Sequence, residues 1–194
     1  MADDYFKRTH WNRKDEYYTP QILVEPILKY IPDNSTIWCP FDTSQSEFVL
    51  MLKEAGHKVI YSHLWYGQDF FEYEPDGPYD YIISNPPFSL KKRILERLYK
   101  LDKPFAMIMG LPILNYQEIG NFFYEKQSED KWLQLLIVDK KVSFDGNTAS
   151  FNNSYFCYNM LPRDIIFVNL ENNNSKQYFV GSRMKNEAEI MKEK

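Results

Sequence analysis

Two periods run along this chain. Short apolar runs rich in β-branched and aromatic residues recur at Thr36–Phe41, Lys58–Ser62, Tyr79–Ile83, Pro104–Gly110, Trp132–Val138, Tyr155–Tyr158 and Ile165–Val168, and such runs predict strands. Between them apolar residues return at helical spacing. Ile22, Leu23, Pro26, Ile27 and Leu28 predict a first short helix, and Phe48, Val49, Leu52 and Ala55 a second. Leu90, Ile94, Leu95 and Leu98 predict a third, and Ile119, Phe122 and Phe123 a fourth. Strands that alternate with helices predict an α/β fold with right-handed crossovers and a mostly parallel sheet. Pro104–Gly110 is apolar throughout, as expected of a strand buried on both faces. Tyr155–Tyr158 and Ile165–Val168 are expected to pair with each other as an antiparallel edge. Val142–Phe144 reads as a short strand entering a turn.

Punctuation sets the boundaries. Thr19 before Pro20 predicts a capped helix start. Ser44-Gln45-Ser46-Glu47 has the pattern of a capping box, and Gly56 a helix stop. Residues 1–20 form a polar, aromatic arm or lid. Thr148–Asn153 reads as a loop, and the charged stretch within 171–194 as a partly flexible tail.

In an open α/β sheet, ligands bind outside the carboxyl ends of the strands. Three such ends carry chemistry here: Phe41-Asp42-Thr43, Ser62-His63 and Ser84-Asn85-Pro86-Pro87-Phe88-Ser89. Pro86 and Pro87 have no N–H and fix their own φ, and Pro86 biases Asn85 toward extended geometry. The result is a stiff turn rich in hydrogen-bond acceptors, suited to a substrate that brings an exocyclic amino group. Phe88 adds a flat face on which a base can stack. The bland alternative is a structural Asn-Pro turn.

Composition narrows the setting. A chain of 194 residues, 44% hydrophobic and 26% charged, fits one domain over 1–194. Cys39 and Cys157 are too few for a disulfide framework or zinc cluster and are expected to be buried thiols. The first residues show no signal region, and no apolar stretch is long enough to span a membrane, so a cytoplasmic protein is expected. A net charge of −4 opposes strong non-specific nucleic-acid binding. The polarity is regional: Lys91, Lys92, Arg93, Arg97, Lys100 and Lys103 lie close together, whereas Asp69, Glu72, Glu74, Asp76 and Asp80 cluster with no base among them. The lysines are either phosphate contacts or a solvated helix face.

Ser84-Asn85-Pro86-Pro87-Phe88 resembles the catalytic Asn-Pro-Pro-aromatic motif of DNA N6-adenine methyltransferases. Asp15-Glu16-Tyr17-Tyr18-Thr19-Pro20 resembles the cofactor-side motif of a phage and prophage branch of that family. The resemblance spans roughly Asp15 to Leu170. It implies a Rossmann-like class I methyltransferase fold, a doubly wound, mostly parallel sheet of about seven strands. It implies S-adenosyl-L-methionine as cofactor, double-stranded DNA as partner and a flipped adenine as substrate. In that family's terms Asn85, Pro86, Pro87 and Phe88 are catalytic. Tyr18, Thr19, Pro20, Phe41, Asp42, Ser44, Asp69, Phe70 and Asn85 are the cofactor-binding set. Asp69 matches the acid that contacts the cofactor adenine, with Phe70 stacking on that ring. From the residues alone, Asp69 reads equally as a cap or solvated loop acid.

Lys91, Lys92, Lys140, Lys141 and Asn152 are candidate DNA contacts, and a monomer or weak dimer is expected, with an accessory protein an open question. One departure stands out. The first strand is followed by Cys39–Phe48 with no glycine, where the family carries a glycine-rich turn. The alternatives are a methyltransferase fold that binds DNA or protein without catalysis, and an RNA or protein-glutamine methyltransferase.

Overall fold

A computed structural model describes residues 19–144 and 152–170 of the chain. The expectations for the arm including Tyr18, for most of the 148–153 loop and for the tail lie outside the described residues. The elements are α1 (Gln21–Leu28), β1 (Thr36–Cys39), α2 (Glu47–Glu54), β2 (Lys58–Tyr61), β3 (Tyr81–Ser84), α3 (Lys91–Leu101), β4 (Phe105–Gly110), α4 (Gln117–Ser128), β5 (Gln134–Val138), β6 (Asn153–Tyr158) and β7 (Ile165–Val168). Short 3-10 turns cover Leu64–Tyr66, Phe88–Leu90 and Leu111–Asn115.

The strands form one seven-stranded sheet in the order β2-β1-β3-β4-β6-β5-β7. Alternation along the strands sorts the core into two layers. Ile37, Ile83, Ala106, Ile108, Tyr155 and Cys157 face Leu23, Val24 and Ile27 of α1 and Phe48, Val49 and Leu52 of α2. Trp38, Ile82, Phe105, Met107, Met109 and Phe156 face Ile94, Leu95 and Leu98 of α3 and Ile119, Phe122 and Phe123 of α4. Helices thus cover both faces, as the alternating pattern requires. Cys39 and Cys157 are free, buried thiols.

Four details differ from the sequence expectations. Tyr155–Tyr158 and Ile165–Val168 do not pair with each other. β6 enters antiparallel between β4 and β5, and β7 pairs parallel with β5. The antiparallel strand is therefore interior, and the edge strand is parallel. Burial follows: every residue of β6 is buried, whereas Ile165 and Phe167 of β7 are 55% and 76% exposed. Val142–Phe144 is loop rather than strand. Pro20, not Thr19, flanks α1, with extended dihedrals and no side-chain cap. The capping box at Ser44 is replaced by a start two residues later, with Ser46 flanking α2 and making no side-chain cap. Glu47 instead accepts a hydrogen bond from Gln21 Nε2 at 2.8 Å, tying the start of α2 to the start of α1.

The stop at Gly56 is as expected. Its φ is +88°, and its N–H bonds Lys53 O while His57 N–H bonds Leu52 O, each at 3.0 Å. That pair of bonds is the Schellman closure.

Candidate active site

The carboxyl ends of β1, β2 and β3 meet through polar contacts. Past β1, Asp42 N–H bonds Ser62 O at 3.2 Å, and Ser62 N–H bonds Cys39 O at 3.1 Å. Trp38 Nε1 of β1 donates to Ser62 Oγ at 2.9 Å. Ser84, the last residue of β3, donates its hydroxyl to Asp42 Oδ2. The side chain of Asp42 therefore binds the strand that leads into Asn85, joining two of the three ends singled out by sequence. His63 follows the third end and is buried, its Nδ1 accepting from Trp65 N–H at 3.1 Å. Burial pushes its pKa down from 6.5 to about 4, so the ring is neutral near neutrality.

Asp42 is the unusual acid. It is 6% exposed, and burial raises its pKa from 3.8 to about 6, against the opposing hydrogen bonds from Ser84 and Ser46. Its partners are neutral hydroxyls. A buried carboxylate held this way gains most from an arriving cation.

The glycine-free turn is built from hydroxyls. Thr43 N–H donates to Ser46 Oγ at 2.9 Å, Ser46 N–H to Thr43 O at 3.1 Å, and Gln45 N–H to Thr43 Oγ1 at 3.4 Å. Among the described residues the non-glycine positions with positive φ are Asn34, Asp102, Asp130 and Asn159, none of them in this turn. The backbone thus needs no glycine here. The hydroxyl that closes this turn is that of Ser46, three residues past Thr43. Thr19 and Pro20 are buried, and the Gln21–Glu47 bond places them beside this turn. Ser44 and Phe41 in the same segment are half-buried.

Asp69 and Phe70 follow the 3-10 turn after β2. Asp69 Oδ1 accepts from Phe71 N–H at 2.9 Å, and its carbonyl accepts from Glu72 and Tyr73 N–H, so the acid caps its own turn. Phe70 is 2% exposed, with its ring 5.6 Å from Trp38 and 4.8 Å from Phe41. The Arg97 guanidinium carbon lies 5.5 Å from the Phe70 ring centroid, and Phe41 is the less buried of the two phenylalanine rings.

Asn85 is half-buried and Pro86 and Pro87 are buried, and Phe88 is half-buried with its ring 6.4 Å from Phe144. Lys91 Nζ lies 5.6 Å from the Phe88 ring centroid, and Lys92 pairs loosely with Glu96 at 3.9 Å. β5 runs in the direction of β4, since β6 opposes both. Lys140 and Lys141 after β5, and Asn152 before β6, therefore come out at the same edge of the sheet as Asn85. All three are exposed. The five candidate DNA contacts share one edge although the sequence separates them widely.

No family model matches the chain. The Type II methyltransferase M.EcoRI of Escherichia coli is 38% identical over 48 residues, which are 25% of this chain and 15% of that protein. A solved structure of a class I S-adenosylmethionine-dependent methyltransferase from Listeria monocytogenes aligns over 90% of this chain and 72% of its own, with a TM-score of 0.52 and 10% identity. This chain has the methyltransferase fold. The methyltransferase subunit of a type I restriction-modification system from Streptococcus thermophilus aligns over 79% of this chain and 47% of its own, with a TM-score of 0.50 and 11% identity. The chain thus spans under half of that subunit and a small part of M.EcoRI. The seven-stranded, mostly parallel sheet agrees with the expected architecture. Among the described residues no helix is long and apolar enough to cross a membrane.

Proposed function

We propose that the chain transfers a methyl group from S-adenosyl-L-methionine to the N6 nitrogen of an adenine flipped out of double-stranded DNA. The observation that carries this reading is the Ser84–Asp42 hydrogen bond. It couples the carboxylate suited to a cationic cofactor directly to the strand that presents Asn85-Pro86-Pro87-Phe88. The stretch of identity with M.EcoRI favours DNA as the substrate.

The residues fit the cofactor. Asp42, buried and bonded only to hydroxyls, suits an ammonium group, with Thr19, Pro20, Phe41 and Ser44 around it. Asp69 keeps a second carboxylate oxygen beyond the one that caps its turn, available to an adenine amino group. Bound S-adenosyl-L-methionine supplies a methyl on a positively charged sulfur. The protein's share is orientation. Asn85 Oδ1 and the Pro86 carbonyl accept the two N6 protons, which aims the nitrogen lone pair. In the transfer the new N–C bond would replace the methyl–sulfur bond, whose electron pair would stay on a neutral thioether; the two acceptors would stabilise the positive charge developing on the amine, which would then lose a proton to solvent. Phe88 stacks on the base. Flipping is required because the amino group is out of reach in a stacked pair. Lys91, Lys92, Lys140, Lys141 and Asn152 line the edge a duplex would approach.

Two measurements test this. Calorimetric titration with S-adenosyl-L-methionine is expected to saturate, and to weaken at least tenfold in both Asp42→Asn and Asp69→Ala. Nucleoside mass spectrometry of DNA from a methylation-free host expressing the chain is expected to show N6-methyladenine, lost in Asn85→Ala. Failure to bind the cofactor with DNA present as well as absent sinks the reading.

A further inference from the structure

Among the described buried side chains, Asn153 is out of place. It is 1% exposed, and neither Oδ1 nor Nδ2 has a hydrogen-bond partner. An amide buried with both ends unbonded is a costly arrangement that a fold retains only for a reason. His57, Arg97, Tyr99 and Ser154 each leave one buried polar atom unbonded, whereas Asn153 leaves both ends of its amide so, and Gln134 and Tyr155 in the same sheet are satisfied. Gln134 donates to Leu161 O at 2.7 Å and accepts from Met160 and Leu161 N–H at 2.9 and 3.0 Å. Tyr155, two residues on from Asn153 on the same sheet face, donates to Leu23 O at 2.6 Å.

Position supplies the reason. Asn153 pairs with Gly110 across β4 and β6. β3 pairs with β4 at Ser84–Met107, so three residues further on Pro87 comes level with Gly110. Alternation puts Asn153 on the face of Tyr155 and Cys157, and Gly110 on that of Ala106 and Ile108. One extended residue past β3, the same rule puts Asn85 on the face of Ile83. Phe144, which the Phe88 ring meets, belongs to that face too. The Ser84–Met107 pairing brings Asn85 level with Ile108, while Asn153 is level with Gly110, so the two lie diagonally across β4 on one side of the sheet, roughly 11–12 Å apart by strand spacing and rise. At the level of Asn153 β4 has no side chain, since a Cβ on buried Gly110 would meet Pro112 Cδ at 3.7 Å, and the slot this leaves is bounded by Ile108 at the level of Asn85. Ser154 Oγ is also unbonded, but its place in the alternation is on the opposite face.

We propose that Asn153 reads the flipped adenine at a ring nitrogen next to the amino group that Asn85 holds. With both N6 protons taken by Asn85 and Pro86, the Asn153 amide N–H donates to a ring nitrogen beside the amino group, N1 or N7. Gly110 keeps the slot open for the ring. This rests on the methylation reading above, and fixes which face of the sheet holds the base and which residue selects it.

The test pairs the residue with the substrate atom. The methylated site is first mapped in DNA from the expressing host, and duplexes are made with adenine, 1-deazaadenine or 7-deazaadenine at that position. For the unaltered protein one analogue is expected to lower kcat/KM by roughly 5–150-fold. In Asn153→Ala that penalty should vanish, with cofactor titration unchanged. Equal analogue penalties in both proteins overturn the inference while leaving the methyltransferase reading intact. Absence of any adenine methylation by the unaltered protein overturns both. A second variant guards against misfolding. Asn153→Leu removes the unbonded amide at similar volume, so it should raise the melting temperature by about 2–6 °C while abolishing methylation. A fall in melting temperature assigns Asn153 to structure and overturns the proposal. Gly110→Val should block methylation yet leave cofactor binding intact; retained methylation shows that the slot is not used and overturns the placement.

Discussion

At Asp42 burial and chemistry pull in opposite directions. Its pKa of about 6 lies above the ordinary carboxylate value, so the folded state favours the neutral form. The stability this group contributes is fully present below about pH 4 and is lost as pH rises through 6. Asp42→Asn should therefore flatten that part of the stability profile, read by urea melts across pH 4–8. Ligand binding has the opposite slope. A cationic ligand needs the ionised acid, so below pH 6 affinity for S-adenosyl-L-methionine should fall by up to tenfold per pH unit, with proton release visible in calorimetry run in buffers of different ionisation enthalpy. In the proposed reaction Asn85 serves the other half, the substrate amine. Asn85→Ala should lower turnover by roughly 10²–10³-fold, measured by single-turnover methylation, while the cofactor titration still saturates.

Between residue and fold stand the turns that set each end of a strand against the next. Gly56 is required by its φ of +88°, and Gly56→Ala should cost about 1 kcal/mol in denaturant unfolding. Ser46→Ala removes the acceptor that closes the turn after β1, and should cost about 1 kcal/mol and weaken cofactor binding as well. The sequence displayed the first of these devices openly, because a glycine at a helix end has one common meaning. It concealed the second. Ser44-Gln45-Ser46-Glu47 satisfies a capping pattern at two registers, and the choice was made by Gln21, 26 residues away, which claims the Glu47 carboxylate. Long-range partners of that kind have no local signature. The same holds for Phe70: nothing in a phenylalanine beside an acid announces that its ring will meet Trp38 and Phe41. The strands were legible from their apolar runs, but their neighbours were not. Tyr155–Tyr158 and Ile165–Val168 look equally apolar on paper, and only the packed sheet makes one interior and the other exposed.

For the whole molecule, the sheet's carboxyl edge gathers what the chain disperses. Asp42 after β1, Asn85, Lys91 and Lys92 after β3, Lys140 and Lys141 after β5, and Asn153 at the start of β6 arrive on one rim. An acidic protein of net charge −4 therefore presents local positive charge where a duplex would dock. Replacing Lys140 and Lys141 together by Glu should weaken binding to duplex DNA of any sequence and reduce the magnitude of the salt slope by about 2, read by fluorescence anisotropy between 50 and 200 mM salt.

The interior place of β6 carries a cost during synthesis. As the chain leaves the ribosome, β4 is complete long before residue 153 appears, and the side of β4 that β6 will occupy stays open. That edge belongs to Phe105-Ala106-Met107-Ile108-Met109-Gly110, an uncharged run with nothing to deter pairing with another nascent chain. Any product halted between residues 111 and 152 therefore carries an adhesive edge rather than a shorter version of the native sheet. The last strands are the cap that makes the earlier ones safe to expose.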